Sequence, residues 1–315
     1  MLADLRSSAP PRASTCVRSQ RRGRALTVTL AIGIAVSFAF LGTGPSVAVP
    51  APVNLWVADL ALDKVIKSEA GTGKQEAVFT KGVKDPEGVA VDGKGNVYIA
   101  DSGNHRILKV PADGSEQVDI GFALNSPKGV AVDGSGNLYI ADSGNHRVLK
   151  IAGGTQSTLA APGVIYPTGV AVDSGGNVYF ADAYNHQVFK VTTGSTTGTP
   201  IAATGLNVPL GLGVDSAGNV YIADSGNHRV VKVPADGSVQ TVVGVGLNHP
   251  SGVTIDSANN VYIADTGNHR IVEVPGDGSA QTTIGQDWDT PVGLVARGVS
   301  GNGQCSGSSC LFGSS

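Results

Sequence analysis

The chain has 315 residues, of which 44 are glycine, 5% are aromatic and one is methionine. That length allows one large domain or two ordinary ones, and glycine at this level argues against a bundle of long helices. Six of the 22 basic residues and one of the 25 acidic ones lie in residues 1–48, so the remainder carries eight more acids than bases; a surface made for nucleic-acid phosphates is excluded.

The N-terminal segment differs from everything after it. Arg6, Arg12, Arg18, Arg21, Arg22 and Arg24 precede an uncharged stretch from Ala25 to Leu41, and Ser46-Val47-Ala48 follows. A basic region, an apolar region and a small-residue end have the form of a secretory signal peptide. The Arg21-Arg22 pair matches one export route. An uncleaved anchor is the alternative, because the apolar run nearly reaches the length of a membrane span. The expected divisions are 1–48 as signal or anchor, 49–53 as linker, 54–297 as the folded domain and 298–315 as a Gly/Ser-rich tail. Cys305 and Cys310 lie in that tail, where an exported compartment permits a disulfide or a free pair.

From residue 54 onward the chain repeats. Asn96–Val110 reads NVYIADSGNHRILKV and recurs from Asn137, Asn177, Asn219 and Asn260, with a degenerate copy from Asn54. The Ala-Asp aspartates Asp59, Asp101, Asp142, Asp182, Asp224 and Asp265 follow one another at 40 to 42 residues. Each copy holds four short runs rich in Val, Ile and Tyr, separated by Gly, Asn, Asp and Pro. In the second copy they are 86–92, 96–101, 106–110 and 116–121. These are strands and turns. Helical repeats of similar period cannot survive a glycine or proline cluster every five to eight residues. Four strands per repeat predict a β-propeller.

A proline opens the first strand six times, at Pro86, Pro127, Pro167, Pro209, Pro250 and Pro291. The two sets of six are offset. The repeat region begins with a second strand, Leu55–Asp59, and ends with a first strand, Val292–Arg297. The fold expected is all-β: a six-bladed β-propeller of four-stranded antiparallel blades, closed by pairing of the N- and C-terminal strands, which removes free edges.

The unit P-x-G-V-A-V-D…G-N-V-Y-I-A-D-S-G-N-H-R-V resembles the NHL repeat over residues 54–297. Within that family, Gly246-Leu-Asn-His-Pro-Ser-Gly252 with Asp256-Ser-Ala is similar to the extracellular sensor propeller of mycobacterial membrane Ser/Thr kinases. The chain departs from those proteins in having no His-Arg-Asp triplet and no nucleotide loop; Gly71-Thr-Gly-Lys74 lacks P-loop spacing. The resemblance implies interaction rather than chemistry. Some propellers of similar make are lyases or lactonases, and that is the alternative reading, as a metal-dependent enzyme.

Candidate chemistry must be weighed against the repeat. His105, His146, His186, His228 and His269 share one position in five copies, and a metal needs three or four ligands about 2.0–2.1 Å from one ion. Equivalent residues of separate blades converge that closely only on the axis, so these read as turn residues. The Ala-Asp aspartates, with Arg106, Arg147, Arg229 and Arg270 five residues on, are expected to accept backbone N–H groups of the following turn and bridge to the arginines. Asp92, Asp133, Asp173, Asp215 and Asp256 open Asx-turns, with calcium as the alternative.

Function should appear where the repeat departs from symmetry. The fourth-to-first and second-to-third connections share one face of the disc, the upper face. The departures there are Asp85, Glu87, Lys128, Tyr166, Thr168, His249 and Ser251 around the axis, with Tyr184 and Gln187 further out. These nine are the expected ligand-binding residues. Tyr166 and Tyr184, on adjacent loops of one blade, are expected to form an aromatic patch. The sequence reading is thus a non-enzymatic, secreted or envelope-bound monomer that binds a protein, peptide or glycan, with no cofactor and no nucleic-acid partner, and membrane contact only through an uncleaved N-terminus.

Overall fold

A computed structural model describes residues 53–79, 81–159 and 163–298; the signal-or-anchor segment and both tail cysteines lie outside them. Six four-stranded antiparallel sheets form six blades. Blade 2 is Pro86–Val91, Val97–Asp101, Arg106–Val110 and Val118–Ile120, counted from the axis outward. The third strand is as expected from the sequence. The outer strand is shorter than the run 116–121, because residues 115–117 stay in the turn.

Blade 1 is composite. Its innermost strand is Pro291–Gly298, paired antiparallel with Val53–Asp59 from Val53↔Gly298 to Asp59↔Pro291. Lys64–Glu69 and Gln75–Phe79 complete it. The expected closure by the two chain ends is observed.

The second strand of every blade is buried on both faces, as in Val97–Asp101. Stacked blades cover it from either side, so one hydrophobic cluster fills each joint. Between blades 2 and 3 it contains Tyr98, Ile107, Val130, Ile140 and Leu149. Each such side chain contributes about 1.5–3 kcal/mol.

Two aspartate devices hold the turns. On the lower face, Asp92 Oδ1 accepts the N–H groups of Lys94 and Asn96, both at 2.9 Å, while Oδ2 accepts Asn96 Nδ2 at 2.6 Å and Tyr98 Oη at 3.1 Å. The Asx-turn reading describes this geometry. On the upper face, the fully buried Asp101 accepts Arg106 Nε at 2.6 Å and Asn104 Nδ2 at 2.9 Å. Its backbone donor is Lys84 N–H at 2.7 Å. That donor belongs to the loop arriving from the preceding blade, not to the following turn as the sequence suggested. The aspartate therefore ties together both upper loops of its blade.

Each lower-face tyrosine has a lid. Lys109, Lys150, Lys190 and Lys232 place Nζ 5.2–5.8 Å from the rings of Tyr98, Tyr139, Tyr179 and Tyr221, and Lys67 covers Trp56 likewise. In blade 6 the lid is Glu273. Tyr262 Oη lies 3.2 Å from Glu273 Oε1 and 3.0 Å from Asp256 Oδ2, so one proton faces two carboxyl groups. Burial, together with the Asp256 charge, raises the Glu273 pKa against the opposing hydrogen bond from Tyr262. A raised folded-state pKa means that this group's stabilisation is present below the ordinary carboxylate range and is lost as pH rises through the raised value. Glu273→Lys restores the lid of the other blades. It is expected to raise the melting temperature at neutral pH by about 2–4 °C, the equivalent of one cation–π contact of about 1 kcal/mol. Calorimetry at neutral pH checks this, and a lower melting temperature would contradict the lid argument.

Candidate functional site at the upper mouth of the axial channel

The site is built by a repeated irregularity. In blade 2, Pro86 pairs with Asp101 and Gly88 with Ala100, so Glu87 is skipped by the ladder. Blade 3 skips Lys128 in the same way, and the ladders of blades 1, 4 and 5 shift at the same place. A bulge re-aims the side chain it carries. Here the re-aimed residues are Glu87, Lys128, Thr168, Leu210 and Val292, and with Ser251 of blade 6 they ring the mouth of a channel of about 250 Å³ on the propeller axis.

Directly below that ring lie six glycines. A Cβ on Gly88 would meet Lys128 O at 2.5 Å, and one on Gly129 would meet Thr168 O at 2.3 Å. The pattern continues through Gly169, Gly211 and Gly252, and closes with Gly293 against Glu87 O at 2.2 Å. Glycine lets the six inner strands converge on the axis. Below it the channel wall is apolar, with Val89, Val130, Val170, Leu212, Val253 and Leu294.

The mouth is uneven. Lys128 Nζ forms an ion pair with Glu87 Oε1 and stands 5.7 Å from the Tyr166 ring centroid. Tyr166 meets Tyr184 at 4.9 Å between centroids, tilted by 47°. A chain of contacts thus runs from blade 2 through blade 3 to the edge of blade 4, where Tyr184 is 66% exposed. Ile165 and Val208, also exposed, flank it. The opposite rim is Leu210, Ser251 and Val292.

Of the nine residues expected to bind ligand, Glu87, Lys128, Tyr166, Thr168 and Ser251 line the channel, and Tyr184 joins them through Tyr166. The others stand apart from its lining. Asp85 gives its N–H to Asp63 Oδ1 at 2.7 Å, Gln187 is the exposed first residue of the otherwise largely buried third strand of blade 4, and His249 packs edge-on against His228 at 4.1 Å. Two hydroxyls in the lining are committed to structure. Thr168 Oγ1 bonds Pro209 O at 3.2 Å and Leu210 O at 3.1 Å. In blades 2 and 3 the bond to the next blade's proline carbonyl comes from Ser102 and Ser143. Blade 4 has Ala183 at that position, and Thr168 supplies the missing hydroxyl. Ser251 Oγ likewise reaches Pro291 O and Val292 O at 3.3–3.4 Å.

The last upper loop, Asp287-Trp288-Asp289, is structural at its centre. Trp288 is buried and donates Nε1–H to Ile284 O at 2.9 Å. The nine residues expected from the sequence do not include Leu210, Val292, Ile165 or Val208. The first two sit at the P-x-G position that selected their polar neighbours, so the signal was there. Among the described residues no three His, Cys, Asp or Glu side chains are grouped to hold a metal ion, and the repeat histidines are spread over five separate blade joints.

Five segments match the NHL repeat: residues 84–110, 124–151, 165–191, 206–233 and 247–273. No curated protein matches the chain. Among solved structures, a chain of a nidogen/laminin complex is 22% identical, with a TM-score of 0.69 over 78% of this chain and 98% of that one. A streptogramin B lyase is 14% identical, with a TM-score of 0.61 over 82% and 91% of the two chains. The virginiamycin B lyase of Staphylococcus aureus is 13% identical, with a TM-score of 0.59 over 78% and 88%. These likenesses are of fold.

Proposed function

We propose that this chain, a six-bladed β-propeller built on NHL repeats, is a binding module that holds a protein partner on its upper face. The observation that carries this reading is the Lys128–Tyr166–Tyr184 cluster at the channel mouth, because none of its three side chains belongs to the repeat and they meet one another. Residues alike in every blade maintain the blade, whereas one partner must be read by residues that differ. Tyrosine combines large contact area with a polar tip and recurs at energetic centres of interfaces. The nidogen/laminin likeness supports a protein as partner. The charge and apolar pattern of residues 1–48, and the similarity of 246–258 to kinase sensor propellers, support a place outside the cytoplasm with a partner in the cell envelope. The lyase reading rests on fold likeness alone; the one acid in the channel lining, Glu87, is paired with Lys128.

The test compares capture of envelope proteins by the full chain and by two double variants. Tyr166→Ala with Tyr184→Ala is expected to weaken partner capture about tenfold or more, on the scale of an interface hot spot, with the melting temperature kept. Lys94→Ala with Ser135→Ala, on exposed lower-face turns, is expected to leave capture intact. Loss of capture in the lower-face variant alone would overturn the assignment.

A further inference from the structure

The histidines of the repeat do something more specific than fill a turn. Each follows a short 3-10 or simple turn and holds a left-handed backbone, with φ of 52–56°. Its side chain reaches across the upper face to the loop entering the next blade. Nδ1 of His105 accepts the Ser126 N–H at 3.0 Å, His186 accepts Val208 N–H at 2.9 Å, and His228 accepts His249 N–H at 3.1 Å. At the other two histidine joints the polarity is reversed. Nδ1 of His146 faces Ile165 O, and Nδ1 of His269 faces Asp289 O, so these rings donate. The sixth joint has no histidine. There Asp63, also at positive φ, accepts Asp85 N–H at 2.7 Å.

We propose that these side chains form a proton-sensitive collar, in which acid releases the joints between blades 2 and 3, 4 and 5, and 5 and 6 while the other three stay fastened. The chemistry lies in the direction of each bond. A backbone N–H can only donate, so His105, His186 and His228 must keep Nδ1 free of a proton. Imidazole is the side chain that changes charge between about pH 5 and 8. A second proton on these three rings sets one donor against another. On His146 and His269 it leaves an existing donor in place, and His269 gains from the Asp289 carboxylate 4.0 Å away. The sixth joint, at Asp63, has no imidazole to charge.

The surroundings of the three sensitive joints do not oppose this. The arriving loops 121–126, 201–208 and 244–249 contain no charged residue and one titratable one, His249. His249 Nδ1 lies 2.9 Å from Asn248 Oδ1, and its ring stands edge-on to His228, so charging both rings adds repulsion at that joint. On the histidines' own side, Asp101 and Asp224 are already bound to Arg106 and Arg229. Asp182 is held by Ile165 N–H, Tyr166 N–H and Asn185. Lys84 and Asp85 pack on Gly103 beside His105, and Ser126 Oγ is 3.5 Å from its Nδ1. Inward lies the Lys128–Glu87 pair. The inference does not depend on what the upper face binds.

Amide hydrogen exchange of the full chain, corrected for intrinsic rates at about pH 7.5 and about pH 5, tests it. Peptides reporting Ser126, Val208 and His249 are expected to lose protection about fivefold in acid, the weight of one ordinary hydrogen bond. Peptides reporting Asp85, Tyr166 and Thr290 are expected to keep theirs. The triple variant His105→Asp, His186→Asp, His228→Asp copies Asp63 and should abolish the acid effect. Equal change at all six joints, or an acid effect that persists in the triple variant, would overturn the proposal. The comparison between joints is made within the wild-type molecule, so it stands even where the variant does not fold.

Discussion

Gly129→Ala is expected to destabilise the propeller by about 2–3 kcal/mol, as overpacking does in a site that cannot relax, and to lower the melting temperature by about 5–10 °C for a domain of this size. The new Cβ would lie 2.3 Å from Thr168 O and 3.0 Å from Val170 N. Both are backbone atoms of a neighbouring inner strand, which is itself pressed against the next. Room for the methyl group requires blades 3 and 4 to part at the axis, where their shared cluster of Tyr139, Val170, Phe180 and Phe189 begins to open. The same substitution at Gly93 is the control. Gly93 is in a lower-face turn with nothing within 4 Å of its would-be Cβ, and its φ is not in the left-handed range. Calorimetry of the two variants separates the explanations. Equal melting temperatures would show that the axial ring has slack.

The six-fold architecture could be read from the chain because its cause is local and repeated. Each Pro-x-Gly, each Asp-x-x-x-Asn and each Ser-Gly-Asn-His-Arg specifies a turn that needs little help from afar. Five or six copies of the same instruction leave one arrangement. The offset of the first and last strands was legible for the same reason, since a missing partner at one end matches a spare strand at the other.

What was not legible is how one side chain serves two blades. The sequence shows Asp101 five residues before Arg106, but not that Lys84 N–H comes to it from seventeen residues upstream. It shows Thr168 and Ala183 as separate departures. Only the packed blades reveal that the Thr168 hydroxyl stands in for the serine that Ala183 lacks. The glycine of Pro-x-Gly reads as a turn or strand residue until six inner strands meet on one axis. Likewise, a histidine in a consensus turn gives no hint of which ring nitrogen meets an N–H and which a carbonyl. That depends on the backbone of the next blade, where Ser126 and Val208 present donors while Ile165 and Asp289 present oxygens.

Truncation after Thr290 is expected to abolish the cooperative transition of the whole ring rather than weaken one blade. Pro291–Gly298 is the innermost strand of blade 1, and it is paired along its length with Val53–Asp59. It also supplies Gly293 to the axial ring, and Leu294, Val295 and Ala296 to the clusters on both sides of blade 1. Its loss leaves Val53–Asp59 as a bare edge, strips one wall from blades 2 and 6, and opens a ring whose blades each depend on two neighbours. Both tryptophans of the chain report on this joint. Trp56 packs with Val295, and Trp288 is buried beside Leu55 and Leu294. The truncated chain is therefore expected to show red-shifted emission and no transition near the wild-type melting temperature. A synthetic peptide spanning 291–298, added in excess, is expected to restore part of both signals, because the pairing with Val53–Asp59, the packing and the Arg297 bonds to Asp92 O and Gly93 O are contacts a separate strand can make. Wild-type emission and melting in the truncated chain would mean that five and three-quarter blades suffice, and that closure by the chain ends adds nothing to the fold.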